Sequence, residues 1–153
     1  MDAYAWVQMI TAFLGALGFA LFFNVRLRRV LPASIGGLIT WALYWALFQV
    51  IGQIFVPCVI ASTFAAAYAE VVARIYHVPT TVFFIISVIP LVPGRGLFYT
   101  MSDAVNGRWE AFAVDSTATL LFAAGIAAGI CLVTAWVQTW KYGQRKIERI
   151  RSK

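Results

Sequence analysis

Charge is what this sequence has least of. Asp, Glu, Lys and Arg make up only 12% of its 153 residues, and there is a single histidine. That inventory supplies no His-Glu-x-x-His pair, no phosphate-binding glycine loop, no acidic cluster for a metal and no Ser-His-Asp set. Enzyme chemistry is therefore the weakest class, and no cofactor or metal is expected. Cysteine is equally sparse: Cys58 and Cys131 stand in apolar runs with no second cysteine or histidine at ligand spacing, which argues against a disulfide framework and a zinc site. His77, beside Pro79, has no second ligand near it and reads as a loop residue. Six acidic against twelve basic residues leave a net charge of +6. In a soluble protein that excess would point to nucleic acid; in a chain this apolar the placement of the basic residues matters more than their sum, and no nucleic acid is expected.

What is there is hydrophobic: 62% of the residues, with a mean hydropathy of +0.83. A soluble domain of this length cannot hide so much apolar surface. The chain reads as an all-α integral membrane protein, one transmembrane helical domain over 1–140 followed by a basic cytosolic tail, 141–153. No basic residue precedes the first apolar run, which starts after Asp2, so the run lacks the charged start of a cleaved signal and is expected to be retained. Residues 4–23 are charge-free and long enough for one crossing; 31–53 form a second span, a short turn near Gly52 to Pro57 leads to a third that ends near Tyr76, and 117–140 form the last.

The fourth run conflicts with its surroundings. It begins after Pro79 and meets Pro90 within about ten residues, too few to cross a core of ~30 Å. The stretch 90–101, Pro-Leu-Val-Pro-Gly-Arg-Gly-Leu-Phe-Tyr-Thr-Met, places two helix breakers, two glycines and a guanidinium inside apolar sequence. A bilayer tolerates such a break only where protein or water satisfies the freed backbone groups. A helix that resumes after Gly94 and runs to Asn106 makes a fourth span broken at Pro90–Gly94, with 106–108 as the loop beyond it. Basic excess then alternates: Arg26, Arg28 and Arg29 after the first span, none after the second, Arg74 after the third, Arg108 balanced by Glu110 and Asp115 after the fourth, and six Lys and Arg against Glu148 in the tail. That pattern predicts five spans, N-terminus outside and C-terminus in the cytosol.

On the resumed helix, Arg95, Tyr99, Ser102, Asp103 and Asn106 fall at i, i+4, i+7, i+8 and i+11 and share one face. Two readings fit. In one, Gly94, Arg95 and Gly96 form an anion pocket at the positive end of a half-helix, and Tyr99, Ser102, Asp103 and Asn106 line the route. In the other, the helix lies flat at the interface with its polar stripe in water. Two carboxylates are candidate proton carriers. Glu70 has Arg74 one turn away and reads first as a structural ion pair. Asp103 has no arginine one turn after it, and its nearest helical basic partner is Arg95. Trp6, Trp109, Trp136 and Trp140 mark membrane edges, whereas Trp41 and Trp45 lie deeper, as packing or as the lining of a path. Gly125 with Gly129, and Ala61, Ala65 and Ala69, space small residues every fourth position. Such faces serve packing within one bundle or association with a second copy.

Two stretches also resemble a known family. Residues 18–25, Gly-Phe-Ala-Leu-Phe-Phe-Asn-Val followed by arginines, and residues 89–94, Ile-Pro-Leu-Val-Pro-Gly followed by Tyr99-Thr100-Met101, resemble the threonine/serine exporter family, and within it the C-terminal membrane half that also occurs as a separate small subunit. The resemblance implies secondary export of small polar metabolites, threonine- or serine-type amino acids or short carboxylates, across a bacterial inner membrane, driven by the proton gradient. It also implies a larger partner subunit with a cytosolic domain, and brings Asn24 among the candidate substrate contacts. Arg95 departs from the family pattern, in which a small or apolar residue follows the Pro-Gly. A chain with an odd number of spans is further expected to be the inverted counterpart of a partner that also crosses an odd number of times. The rival reading is a scaffold subunit that stabilises a partner and carries no substrate.

Overall fold

The computed structural model describes residues 3–151, with side chains over 4–140. The basic side chains of the expected tail, from Lys141 onward, lie outside the described residues, as does Asp2. Among the described residues the elements are six helices: α1 Ala3–Phe22, α2 Leu27–Ile51, α3 Phe55–Tyr76, α4 Thr80–Val88, α5 Gly94–Val105 and α6 Trp109–Arg151. A 3₁₀ turn, Ile89–Leu91, follows α4, and no strand occurs among the described residues. With no water in a bilayer core to satisfy the backbone, long apolar segments close their hydrogen bonds internally as helices. Four of these helices are long and apolar enough to cross a membrane, and the bent pair α4–α5 makes a fifth as one broken span.

The turns are tight because left-handed residues end the helices. At Asn24 (φ 54°) the amide of Val25 donates to the Ala20 carbonyl (3.0 Å) and that of Asn24 to Leu21 (2.9 Å), the double closure of a Schellman motif. His77 (φ 52°) ends α3 in the same way, with Val78 bonded to Ala73 and His77 to Arg74, which gives the lone histidine a turn-forming position. Gly107 (φ 68°) repeats it after α5, with Arg108 on Asp103 and Gly107 on Ala104.

Packing falls into two halves along the bundle. One core, at the end that carries the α1–α2 and α3–α4 turns, joins Ala16, Ala20, Val30, Ala33, Ala69, Val72, Phe83 and Ile86. The other gathers Tyr44, Cys58, Ala61 and Leu91, with Trp41, Phe122 and Ile126 against them. Arg26, Arg28, Arg29 and Arg74 thus belong to one end of the molecule, and Arg108 and Glu110 to the other. Gly125 and Gly129 face α3: a Cβ on Gly125 would meet the Cβ of Cys58 at 2.9 Å, and one on Gly129 the Val59 carbonyl at 2.7 Å. Ser62 and Cys58 donate to the α6 carbonyls of Gly125 and Phe122, both at 3.3 Å. The glycine pair is consumed inside the bundle.

Helix α6 differs from the sequence expectation. It starts at Trp109, eight residues before the predicted span, and its backbone continues unbroken through 141–151. The charges Glu110 and Asp115 had favoured a loop there. Instead Glu110 occupies the first turn, where a carboxylate suits the positive end of a helix. At ~1.5 Å per residue, the 43 residues of α6 exceed the thickness of a bilayer core, so its basic end extends past the apolar part.

Candidate functional site

The break is built by its prolines. After the 3₁₀ turn, Val92 is extended (φ −63°, ψ 121°) and Pro93 takes φ −78°, ψ 56°. The amide of Gly94 donates back to the Val92 carbonyl at 2.8 Å, an inverse γ-turn centred on Pro93. Helix α5 then leaves at 54° to α4. The Pro93 carbonyl accepts from Leu97 (2.9 Å), and no side chain caps this end. The first-turn amides of Arg95 and Gly96 therefore have no acceptor within α5, and the partial positive charge of the helix collects there.

These amides adjoin a cleft of 720 Å³. One wall is the break itself with Arg95, Gly96 and Tyr99; the second is Trp41 of α2 and Ile54; the third is Asp115, Ala118, Thr119 and Phe122 of α6. The Arg95 guanidinium lies 5.4 Å from the centre of the Tyr99 ring, a cation–π contact that holds it at the mouth. Gly96 lets α5 close on α6, because a Cβ there would come within 2.5 Å of the Thr119 hydroxyl. The indole N–H of Trp41 is buried with no hydrogen-bond partner among the described residues. A site of this size with a few convergent polar groups suits a small molecule.

Of the residues singled out in the sequence, Gly94, Arg95, Gly96 and Tyr99 line the cleft and Ser102, Asp103 and Asn106 do not. The stripe divides along α5. Asn106 caps the helix, its side-chain amide donating to the Ser102 carbonyl at 2.7 Å. Asp103 is 4% exposed and pairs with Arg108 (2.5 Å), not with Arg95. The Schellman turn at Gly107 brings Arg108 back over the last turn of α5, a reversal invisible to helical spacing. Asn24 sits at the opposite end, closing α1. Glu70 accepts from Arg74 (2.9 Å) and from the Thr80 hydroxyl (2.8 Å), which ties α3 to the start of α4. A larger groove of 760 Å³ runs between α3 and α6 past Glu70 and Arg74, but its walls are otherwise mostly aliphatic and tryptophan, the character of a lipid-facing surface.

Sequence reasoning missed Asp115 and Thr119. Their spacing with Ala118 and Phe122, i, i+3, i+4 and i+7, marks one face of a helix, but that signal is legible only once α6 is known to start at Trp109.

The sequence family described as Threonine/Serine exporter, ThrE, matches residues 8–136. The chain belongs to this family. No curated protein and no solved structure matches it. The matched residues reach into every helix of the bundle and include both resembling stretches and the whole lining of the cleft. Membership makes the chain a multi-pass membrane component of a threonine/serine-type exporter, and the family is one of transporters.

Proposed function

We propose that this chain is one membrane subunit of a proton-coupled secondary exporter in a bacterial inner membrane, and that it works with a larger subunit carrying a cytosolic domain. Its substrates are small polar metabolites, threonine- or serine-type amino acids or short carboxylates. The observation that carries this reading is the cleft at the broken helix: backbone amides at the positive end of α5, beside Arg95, meet a substrate carboxylate as half-helices do in other transporter designs. Exposed Val92, Leu97 and Phe98 around it, and an α5 that packs mainly on α6, leave one side for a second chain to complete the site. Ser102 and Asn106, past the cleft, and Asn24, at the other end, serve the route and not the pocket. Proton coupling falls to Glu70 or Asp103. Each is held by an arginine that protonation would release; Arg74 lies on α3 itself, so the junction at stake there is the bond from the Thr80 hydroxyl of α4 to Glu70, whereas Arg108 ties the last turn of α5 to the loop before α6.

The test is efflux of threonine, serine and succinate from cells expressing this chain with and without the larger subunit, before and after collapse of the proton gradient. Efflux that needs both chains and the gradient, and that Arg95→Ala lowers at normal membrane levels, is the expected result. A chain that binds its partner but changes efflux of no solute is a scaffold.

A further inference from the structure

Two opposite charges line the cleft without meeting. Among the described residues the ion pairs are Glu70–Arg74 and Asp103–Arg108, and neither uses Arg95 or Asp115. The Asp115 carboxylate has no hydrogen-bond or charge partner among the described residues, although it is half-buried and shares the cleft with Arg95. An unneutralised carboxylate on a membrane helix is costly, and it persists where a ligand or water takes the partner's place. The adjacent polar groups are also placed for a ligand. The unpartnered Trp41 indole N–H lines the same space, and so does Thr119, one turn on from Asp115, whose hydroxyl donates to the Asp115 backbone carbonyl (2.7 Å) and keeps its acceptor capacity for a ligand.

We infer that Asp115 is the residue that selects the substrate's charge type: its carboxylate receives the ammonium group of a zwitterion whose carboxylate lies on the Arg95 side of the cleft. The inference rests on the exporter reading of this cleft and adds a specificity that the reading leaves open, amino acids over carboxylates lacking an amino group. Family membership does not assign it, and the anion pocket alone would accept either class. A carboxylate solute without the ammonium leaves Asp115 unpaired and adds a second negative charge to its surroundings, so it is rejected by repulsion as well as by a missing contact. Serine and threonine satisfy both poles, and their hydroxyl falls within the polar set of Tyr99, Thr119 and Trp41.

The test is counterflow, which exchanges solute for solute without a proton gradient, in membrane vesicles containing this chain and its larger subunit. Labelled threonine is compared with 2,3-dihydroxybutanoate, the same skeleton bearing hydroxyl in place of ammonium. Wild type exchanges threonine in preference. Asp115→Asn lowers threonine exchange about tenfold or more, as expected when one member of a desolvated charge pair is removed. It leaves the hydroxy acid unchanged or faster, and Asp115→Glu keeps the preference for threonine. Equal loss of both solutes, or loss of neither, overturns the assignment, the first because Asp115 would then serve a step common to all substrates. If Asp115→Asn fails to reach the membrane, Ala118→Asp decides: Ala118 lines the cleft and is partly exposed, so a second carboxylate there must slow the hydroxy acid more than threonine, and an unchanged ratio overturns the inference. Wild-type vesicles that exchange neither solute, though both subunits are present, defeat the exporter reading itself.

Discussion

Asp103 and Arg108 show how much rides on a single turn. Asp103 is almost wholly buried, Arg108 is more than half exposed, and their pair is reinforced by the Arg108 amide on the Asp103 carbonyl at 2.9 Å. Removing the arginine strands a buried charge; removing the charge does not. Arg108→Ala is therefore expected to cost about 1–3 kcal/mol, the desolvation penalty of an unsatisfied group, with solvent screening of the exposed arginine keeping it below a fully buried pair. Asp103→Asn should cost less. Thermal midpoints of the two variants in detergent check the order, and equal midpoints contradict it. The sequence marked Asp103 as a candidate proton carrier on the polar stripe with Arg95 as its nearest basic partner, because helical spacing sees along α5 and not across Gly107. For Asn24, which the resemblance places among the substrate contacts, the structure adds a helix-ending role, its left-handed backbone closing α1.

Among the elements, α6 is positioned by what it lacks. Gly125 and Gly129 admit α3 at backbone contact, so Gly129→Leu must push the helices apart and cost about 1–3 kcal/mol, the range of overpacked interiors. Gly15 has no atom within 4 Å of its would-be Cβ, and Gly15→Ala should be neutral or stabilising by up to about 1 kcal/mol through helix propensity. Midpoints for both variants decide whether close approach or mere glycine content matters. Gly96→Val tests a different junction: it drives α5 off Thr119 and should lower export while the α1–α4 core, which it does not touch, keeps its midpoint. The α4–α5 break was legible because Pro90 and Pro93 each forbid the continuation of a helix, a local rule that packing does not override. The start of α6 was not, since Glu110 and Asp115 read as loop charges next to Arg108, whereas Glu110 sits in the first turn at the positive end of the helix. Missing that start hid Asp115 and Thr119 from the cleft.

For the whole molecule, arginines gather at one end, with the basic end of α6 running out past the apolar span, while Arg108 at the other is neutralised by Asp103. We propose, on the positive-inside rule, an odd number of crossings with the C-terminus in the cytosol. A C-terminal fluorescent fusion should fold and shine in the cytosol, and Asn106→Cys in a Cys131→Ser background should react with an impermeant maleimide from outside the cell. If the bent pair is a re-entrant hairpin instead, Asn106→Cys reacts only from the cytosol and both termini share one side. Leucine, valine and tryptophan on α6 are exposed, and the open cleft would give the proposed second subunit a place to contribute.

Substrate protection of the cleft tests the central claim most directly. In membranes containing this chain with Cys131→Ser and the proposed larger subunit, Tyr99→Cys and Val105→Cys are labelled with a water-soluble maleimide in the presence and absence of saturating threonine. Position 99 lines the cleft and position 105 faces away from the bundle. Threonine is predicted to slow labelling at 99 and leave 105 unchanged. Equal labelling at 99 with and without threonine, in membranes that export it, would place the substrate path elsewhere and contradict the account.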